Sequence, residues 1–126
     1  MNITLENIAK QTLQKWINTL KTLDSNKMVS LYHYDAVLLP TLDSVIRDTP
    51  EKIKEYFNSF LAKEPNCSIH EMKEINLSDR AVSVVGHYGF SFKDGSMVDA
   101  RFTYIFTKTL SSDKWAISHH HSSLQP

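Results

Sequence analysis

The spacing of apolar residues changes once along this chain, at Cys67, and that change constrains the fold more than any single motif. Before it, Leu5, Ile8, Ala9, Leu13, Trp16, Ile17, Leu20 and Leu23 recur at steps of three and four, the signature of one amphipathic helix. Asp24 or Ser25 can cap a short second helix carrying Met28 and Leu31. Tyr34 to Leu39 reads as a strand stopped by Pro40, Thr41 to Ser44 as a turn, and Val45-Ile46-Arg47 as a short return strand. Thr49-Pro50-Glu51 opens a third helix, with Thr49 as cap, proline in the first turn and an acid at the positive end of the dipole. Ile53, Tyr56, Phe57, Phe60 and Leu61 give that helix an apolar face.

After Cys67 the helical period is gone. Ser68 to Leu77 alternates loosely, Ala81 to Phe92 is rich in Val, Tyr and Phe, Asp94-Gly95 signals a hairpin, and Val98 to Lys108 returns. A turn at Ser111-Ser112-Asp113 leads to a last strand from Trp115 to Ser123. Helices segregated from consecutive strands indicate α+β, as one domain over residues 1–126. The expected architecture is a cone: a curved antiparallel sheet wrapped around the long N-terminal helix, with two further helices.

Composition removes several function classes. Lys+Arg and Asp+Glu balance at 14 each, with no basic run, which argues against a nucleic-acid partner. A single cysteine, Cys67, fits a reducing compartment and reads as a small structural residue, so a cytoplasmic location is expected. The opening Met1 to Glu6 lacks the pattern of a secretory signal, and no apolar run is long enough for a membrane span. Three glycines and no glycine-rich phosphate loop argue against a nucleotide, and no cofactor is expected.

The most distinctive stretch is the ending, Trp115-Ala116-Ile117-Ser118-His119-His120-His121-Ser122-Ser123-Leu124-Gln125-Pro126. It resembles the terminal strand of the nuclear-transport-factor-two-like (SnoaL-like) superfamily. More narrowly, it is similar to the SgcJ/EcaC group and to the association domain of calcium/calmodulin-dependent protein kinase II. Leu39-Pro40 followed by Glu55-Tyr56-Phe57 matches the association-domain pattern, and Ala100 to Phe106 resembles the penultimate strand of the SgcJ/EcaC group. The resemblance implies the cone fold and a two-fold dimer. It does not imply one activity, since the superfamily holds isomerases, dehydratases, cyclases and non-catalytic assembly modules. It also carries a departure: the association domain places arginines in its pocket where this chain has Tyr88, Tyr104 and Ser122.

Those three positions, with His120 following Ser122 by strand alternation, define the expected pocket parity. Trp16, Tyr34, Tyr56, Phe60 and Phe90 complete the expected lining. Aromatic walls with a few hydroxyls and one imidazole suit a small apolar or aromatic ligand with one or two polar groups. His120 is the candidate general acid or base. Asp35, Asp43 and Asp99 are acids near the expected mouth, with Asp43 also readable as a turn residue and Asp99 as a solvated one. His119 and His121 share the opposite parity; two histidines are too few for a zinc site, and an interface is the simpler reading. Trp115, Ile117, Thr103 and Ile105, with His87 and Arg101, then form an outer face apolar enough to be covered in a homodimer. Two functions follow: a pocket that holds a metabolite, or a small isomerase, dehydratase or cyclase-like enzyme working through His120.

Overall fold

A computed structural model describes residues 5–109, 111 and 113–126. Met1 to Thr4 therefore lie outside the described residues, as do Leu110 and Ser112, so the expected turn at Ser111 to Asp113 is only partly described. The element order is α1 (Leu5–Leu20), α2 (Ser25–Val29), β1 (Tyr32–Leu39), α3 (Pro50–Leu61), β2 (Asn66–Ser78), β3 (Ala81–Ser91), β4 (Met97–Lys108) and β5 (Trp115–Leu124). This is an α+β fold with a curved, open sheet of five strands in the order β1-β5-β4-β3-β2. β2 to β5 form an antiparallel meander, and β1 joins β5 in parallel at the edge.

Local chemistry accounts for the helix boundaries. Asp24 accepts from the backbone amides of Asn26 and Lys27 at the start of α2, and Thr49 does the same for Lys52 at the start of α3. Pro50 occupies the first turn of α3, where its missing N–H costs nothing. The β3–β4 hairpin turns at Gly95, whose φ of 88° is open only to glycine without strain. The expected return strand at Val45 to Arg47 shrinks to one bridge between Leu38 and Arg47.

The core forms where α1 crosses the concave face. Ala9, Leu13, Trp16, Ile17 and Leu20 make its buried stripe, and α3 adds Ile53, Phe57 and Leu61. From the sheet come Val82, Val84, Tyr88 and Phe90 of β3, then Phe102, Tyr104 and Phe106 of β4. Burying one such large side chain is worth roughly 1.5–3 kcal/mol, so this shared core dominates the folding energy.

Two bulges overturn sequence expectations. In β5, Ile105 pairs with His119 but Phe106 pairs with Ile117, which leaves Ser118 as an extra residue. Ile117 therefore flips into the core at 2% exposure instead of joining the outer face. Trp115 packs partly against the same core. In β1, Tyr32 pairs with Ile117 and Val37 with His119, so the residues between them leave the ladder. Tyr34 sits in that irregular stretch at 83% exposure, far from the interior place that simple alternation assigns it.

Candidate functional site

Between α1, α3, the segment after β1 and the concave sheet face lies a cavity of about 280 Å³. Its wall includes Trp16, Tyr56, Phe60, Tyr88, Phe90, His120 and Ser122, each expected from sequence. Tyr34 is not among them, for the reason just given. Tyr104 is fully buried but stands behind the wall, stacked on the His120 ring with centroids 3.9 Å apart and planes 17° apart. Pairing of Tyr104 with His120 across β4 and β5 puts both on the inner face, and the imidazole then shields the phenol from the cavity.

Trp16 organises the inner end. Its indole stacks on Tyr88 with centroids 6.2 Å apart and meets His120 edge-on at 5.6 Å. Its Nε1–H donates to Tyr32 Oη at 3.0 Å. Tyr32 Oη lies 2.9 Å from His120 Nδ1, and Tyr88 Oη lies 3.2 Å from His120 Nε2. Tyr88 donates onward to Ser122 Oγ at 2.7 Å, and Ser122 Oγ lies 2.6 Å from Thr41 Oγ1. Five side chains beyond the indole thus form one chain from the core to the cavity wall. Sequence reasoning misses Tyr32 because the strand pattern starts at Tyr34, whereas β1 begins at Tyr32. The pattern Leu31-Tyr32-His33 carried the signal, with one tyrosine two residues earlier.

Burial sets the ionisation. His120 is deprived of water, and that desolvation, with smaller contributions from His119 and His121, lowers its pKa to about 3. The imidazole is therefore neutral at physiological pH. Burial likewise raises Tyr32, Tyr56, Tyr88 and Tyr104 above the ordinary phenol range. Tyr104 Oη makes no well-formed hydrogen bond, although the Tyr88 hydroxyl is near enough to be felt electrostatically. Cys67, half-buried, has its thiol pushed up to about 12 by desolvation, which suits a structural residue.

The mouth holds a cation that no local sequence pattern singles out. Arg47 lines the cavity, donates through Nε to Asp43 Oδ2 at 3.0 Å, and through Nη1 to Glu55 Oε1 at 2.9 Å and to the Lys52 carbonyl at 3.3 Å. The hydrogen bond to Glu55 raises its pKa most, desolvation opposes it, and the hydrogen bond to Asp43 adds a smaller rise. Its side chain is largely covered, whereas that of Glu55 is mostly exposed. Asp43 also caps its own turn by accepting from the Val45 amide. Of the other acids, Asp35 is exposed and Asp99 faces His70 at 3.5 Å on the outside; neither lines the cavity. Among the described residues no three His, Cys, Asp or Glu side chains are placed to share a metal ion.

The outer face of the sheet carries Val37, Val85, Thr103, Ile105, His87, Arg101, His119 and His121 by register. No described helix is long and apolar enough to cross a membrane.

The family model of the calcium/calmodulin dependent protein kinase II association domain matches residues 6–126. The chain belongs to that family. A solved structure from Xanthomonas campestris, provisionally named for the same association domain, is 35% identical, with 95% of this chain and 87% of that chain covered and a TM-score of 0.89. An NTF2-like protein of unknown function from Pseudomonas putida shares the fold at 12% identity, with 98% and 88% covered and a TM-score of 0.82. So does a protein from Novosphingobium aromaticivorans provisionally named an aromatic ring hydroxylase, at 13% identity, with 99% and 94% covered and a TM-score of 0.78. No curated protein matches the sequence. The matched span includes the Trp115 to Pro126 ending, and the two remote structures extend the likeness in fold alone.

Proposed function

We propose that this protein is a small-molecule-binding domain whose cavity takes a mostly apolar ligand with one or two polar groups, and that it works as a two-fold dimer. The observation that carries the first part is the 280 Å³ cavity, walled largely by aromatic side chains and holding the linked polar groups of His120, Tyr88, Ser122 and Thr41. A volume at the lower end of ligand sites suits a molecule of one or two rings. His120 is ill suited to general base work: its pKa is about 3 and both ring nitrogens are engaged. That supports binding without turnover over an isomerase, dehydratase or cyclase-like reaction.

For the dimer, support comes from the apolar strip of Val37, Val85 and Ile105 on the outer face and from a family described by association. With Ile117 and Trp115 turned to the core, this face is more mixed than the sequence implies, so histidines and Arg101 would sit within or beside the contact. A cytoplasmic location agrees with the inert, half-buried Cys67 thiol.

The test is a thermal-shift and calorimetric screen with small aromatic probes, repeated on Ala100→Leu. Ala100 is fully buried and lines the cavity, so leucine there fills it. Binding that raises Tm in the parent and is absent in a folded Ala100→Leu supports the reading; equal binding in both places the ligand elsewhere. Light scattering that gives a monomer at high micromolar concentration sinks the dimer.

A further inference from the structure

We propose that the cavity selects its ligand through a hydrogen-bond-accepting oxygen, a ketone or similar carbonyl on a small neutral ring system, because the hydroxyl chain at its polar end carries one donor hydrogen more than it can use internally. The inference deepens the binding role proposed above and rests on it.

The argument is a count of hydrogens. Tyr32 Oη already accepts the Trp16 Nε1–H, and its other hydrogen-bond partner among the described residues is His120 Nδ1. Its own O–H must therefore point at Nδ1. Were Nδ1 to carry the proton instead, the Tyr32 hydrogen would be left without an acceptor in a buried site, the costlier arrangement. Nδ1 is thus the acceptor. A neutral imidazole has one N–H, so it lies on Nε2 and donates to Tyr88 Oη at 3.2 Å. The Tyr88 hydrogen goes on to Ser122 Oγ.

One link remains, between Ser122 and Thr41, and it uses one of the two hydrogens those hydroxyls own. The other hydrogen has no acceptor among the described residues, and both side chains line the cavity. Whichever way the last link points, an O–H is left facing the space a ligand would fill. The direction of every earlier link is fixed by the indole and the imidazole, so the surplus hydrogen cannot be passed back along the chain. A ligand that offers only a donor can bond a free lone pair of the Thr41 hydroxyl but leaves that hydrogen unused. One that offers a carbonyl takes it and completes the chain.

Charge points the same way. Arg47 is matched by Asp43 and Glu55, the imidazole is uncharged, and Lys63, the other cation on the lining, is exposed and lies over the Phe92 ring, so no charged group belongs to the hydroxyl chain itself. A neutral carbonyl compound fits this better than a carboxylate.

The experiment uses the intact chain and three bicyclic probes of nearly one shape. Indane has no polar group, 1-indanone adds an acceptor, and indole adds a donor. Affinities are read by calorimetry, and intermolecular NOEs to Trp16 and Phe90 verify the cavity. The His120 tautomer is read from side-chain 15N shifts, and the carbonyl stretch of bound 1-indanone by infrared spectroscopy. The expected result is an Nε2–H tautomer, a carbonyl stretch lower than in hexane, and 1-indanone binding about fivefold more tightly than indole, a difference within reach of one hydrogen bond. Indole is the more apolar of the two, so burial of surface alone would rank them the other way. Indole binding in the cavity as tightly as 1-indanone, or an Nδ1–H tautomer, overturns the inference and leaves the binding role standing. Failure of all three to bind overturns both.

Discussion

His119, His120 and His121 are consecutive and chemically identical, yet the two faces of β5 make them different groups. His120 lies on the inner face under Trp16, Tyr32 and Tyr104, dry and held neutral with a pKa of about 3. His119 on the outer face is lowered only in part, by moderate desolvation and by His121, and His121 is exposed. One residue of strand decides whether an imidazole is a fixed link in a buried chain or a group in contact with water. The inner face is built by mutual constraint, the outer face by position alone, and the two should respond to substitution on different scales.

The sharpest way to break the comparison is to remove the residue on which the inner face is organised. Trp16 is 2% exposed and contacts Tyr88, Phe90, Tyr104 and His120. Trp16→Ala should cost about 4 kcal/mol, from lost burial and the cavity left behind. Urea unfolding monitored by far-UV CD checks it; a cost below about 2 kcal/mol would mean that the inner face is not close-packed.

Next comes a pair of tyrosines that separates a used hydroxyl from an idle one. Tyr32→Phe strands the Trp16 N–H and His120 Nδ1 together and should cost about 3 kcal/mol. Tyr104→Phe deletes a hydroxyl with no hydrogen bond of good geometry, so it should be neutral or slightly stabilising. Equal losses in the two variants would contradict the directed chain.

These residues also mark how far the sequence could be read. Apolar periods and caps placed the helices because each rule there depends on neighbours within one turn. Thr49 and Asp24 are examples. Tyr88 and Ser122 were legible through the family resemblance, and His120 through alternation from Ser122, which holds because the end of β5 pairs with β4 without a register shift. Alternation fails wherever a strand gains a residue. The bulge at Ser118 turned Ile117 inward, and the irregular pairing of β1 replaced Tyr34 by Tyr32. Nothing local announces either bulge, since each is fixed by the partner strand. Arg47 was invisible for another reason: its partners Asp43 and Glu55 reach it only once α3 has packed beside the turn.

A change of pH weighs the same histidines against each other without a mutation. The unfolded His120 takes a proton near pH 6.5, while the folded one resists it until about pH 3. Between those values the unfolded chain binds the extra proton, so stability is full above pH 6.5 and falls as pH falls. From pH 7.5 to 5 the loss from His120 alone should be about 2 kcal/mol, whatever the folded value so long as it stays below 5. His119, also lowered, adds in the same direction. Urea midpoints across that range should slope less in His120→Gln than in the parent, measured as the difference between pH 7.5 and 5 for each protein. A parallel slope would assign the acid sensitivity to other groups.

The smallest effect tests the outer face. His121 is exposed and opposes Thr103 across the ladder, with Leu39 on its other side. In an isolated protomer His121→Ala should shift stability by less than about 0.5 kcal/mol, as surface substitutions do. The proposed dimer alters that expectation in a defined way. If a second copy covers this face, Tm of the parent rises with protein concentration, and His121→Ala loses part of that rise while matching the parent at high dilution. Differential scanning fluorimetry over a hundredfold dilution series separates the cases. Concentration-independent Tm values would leave the outer face open to water, whereas a loss above about 1 kcal/mol at every dilution would mean that His121 is held within the protomer and that the contrast between neighbouring histidines is smaller than the burial pattern implies.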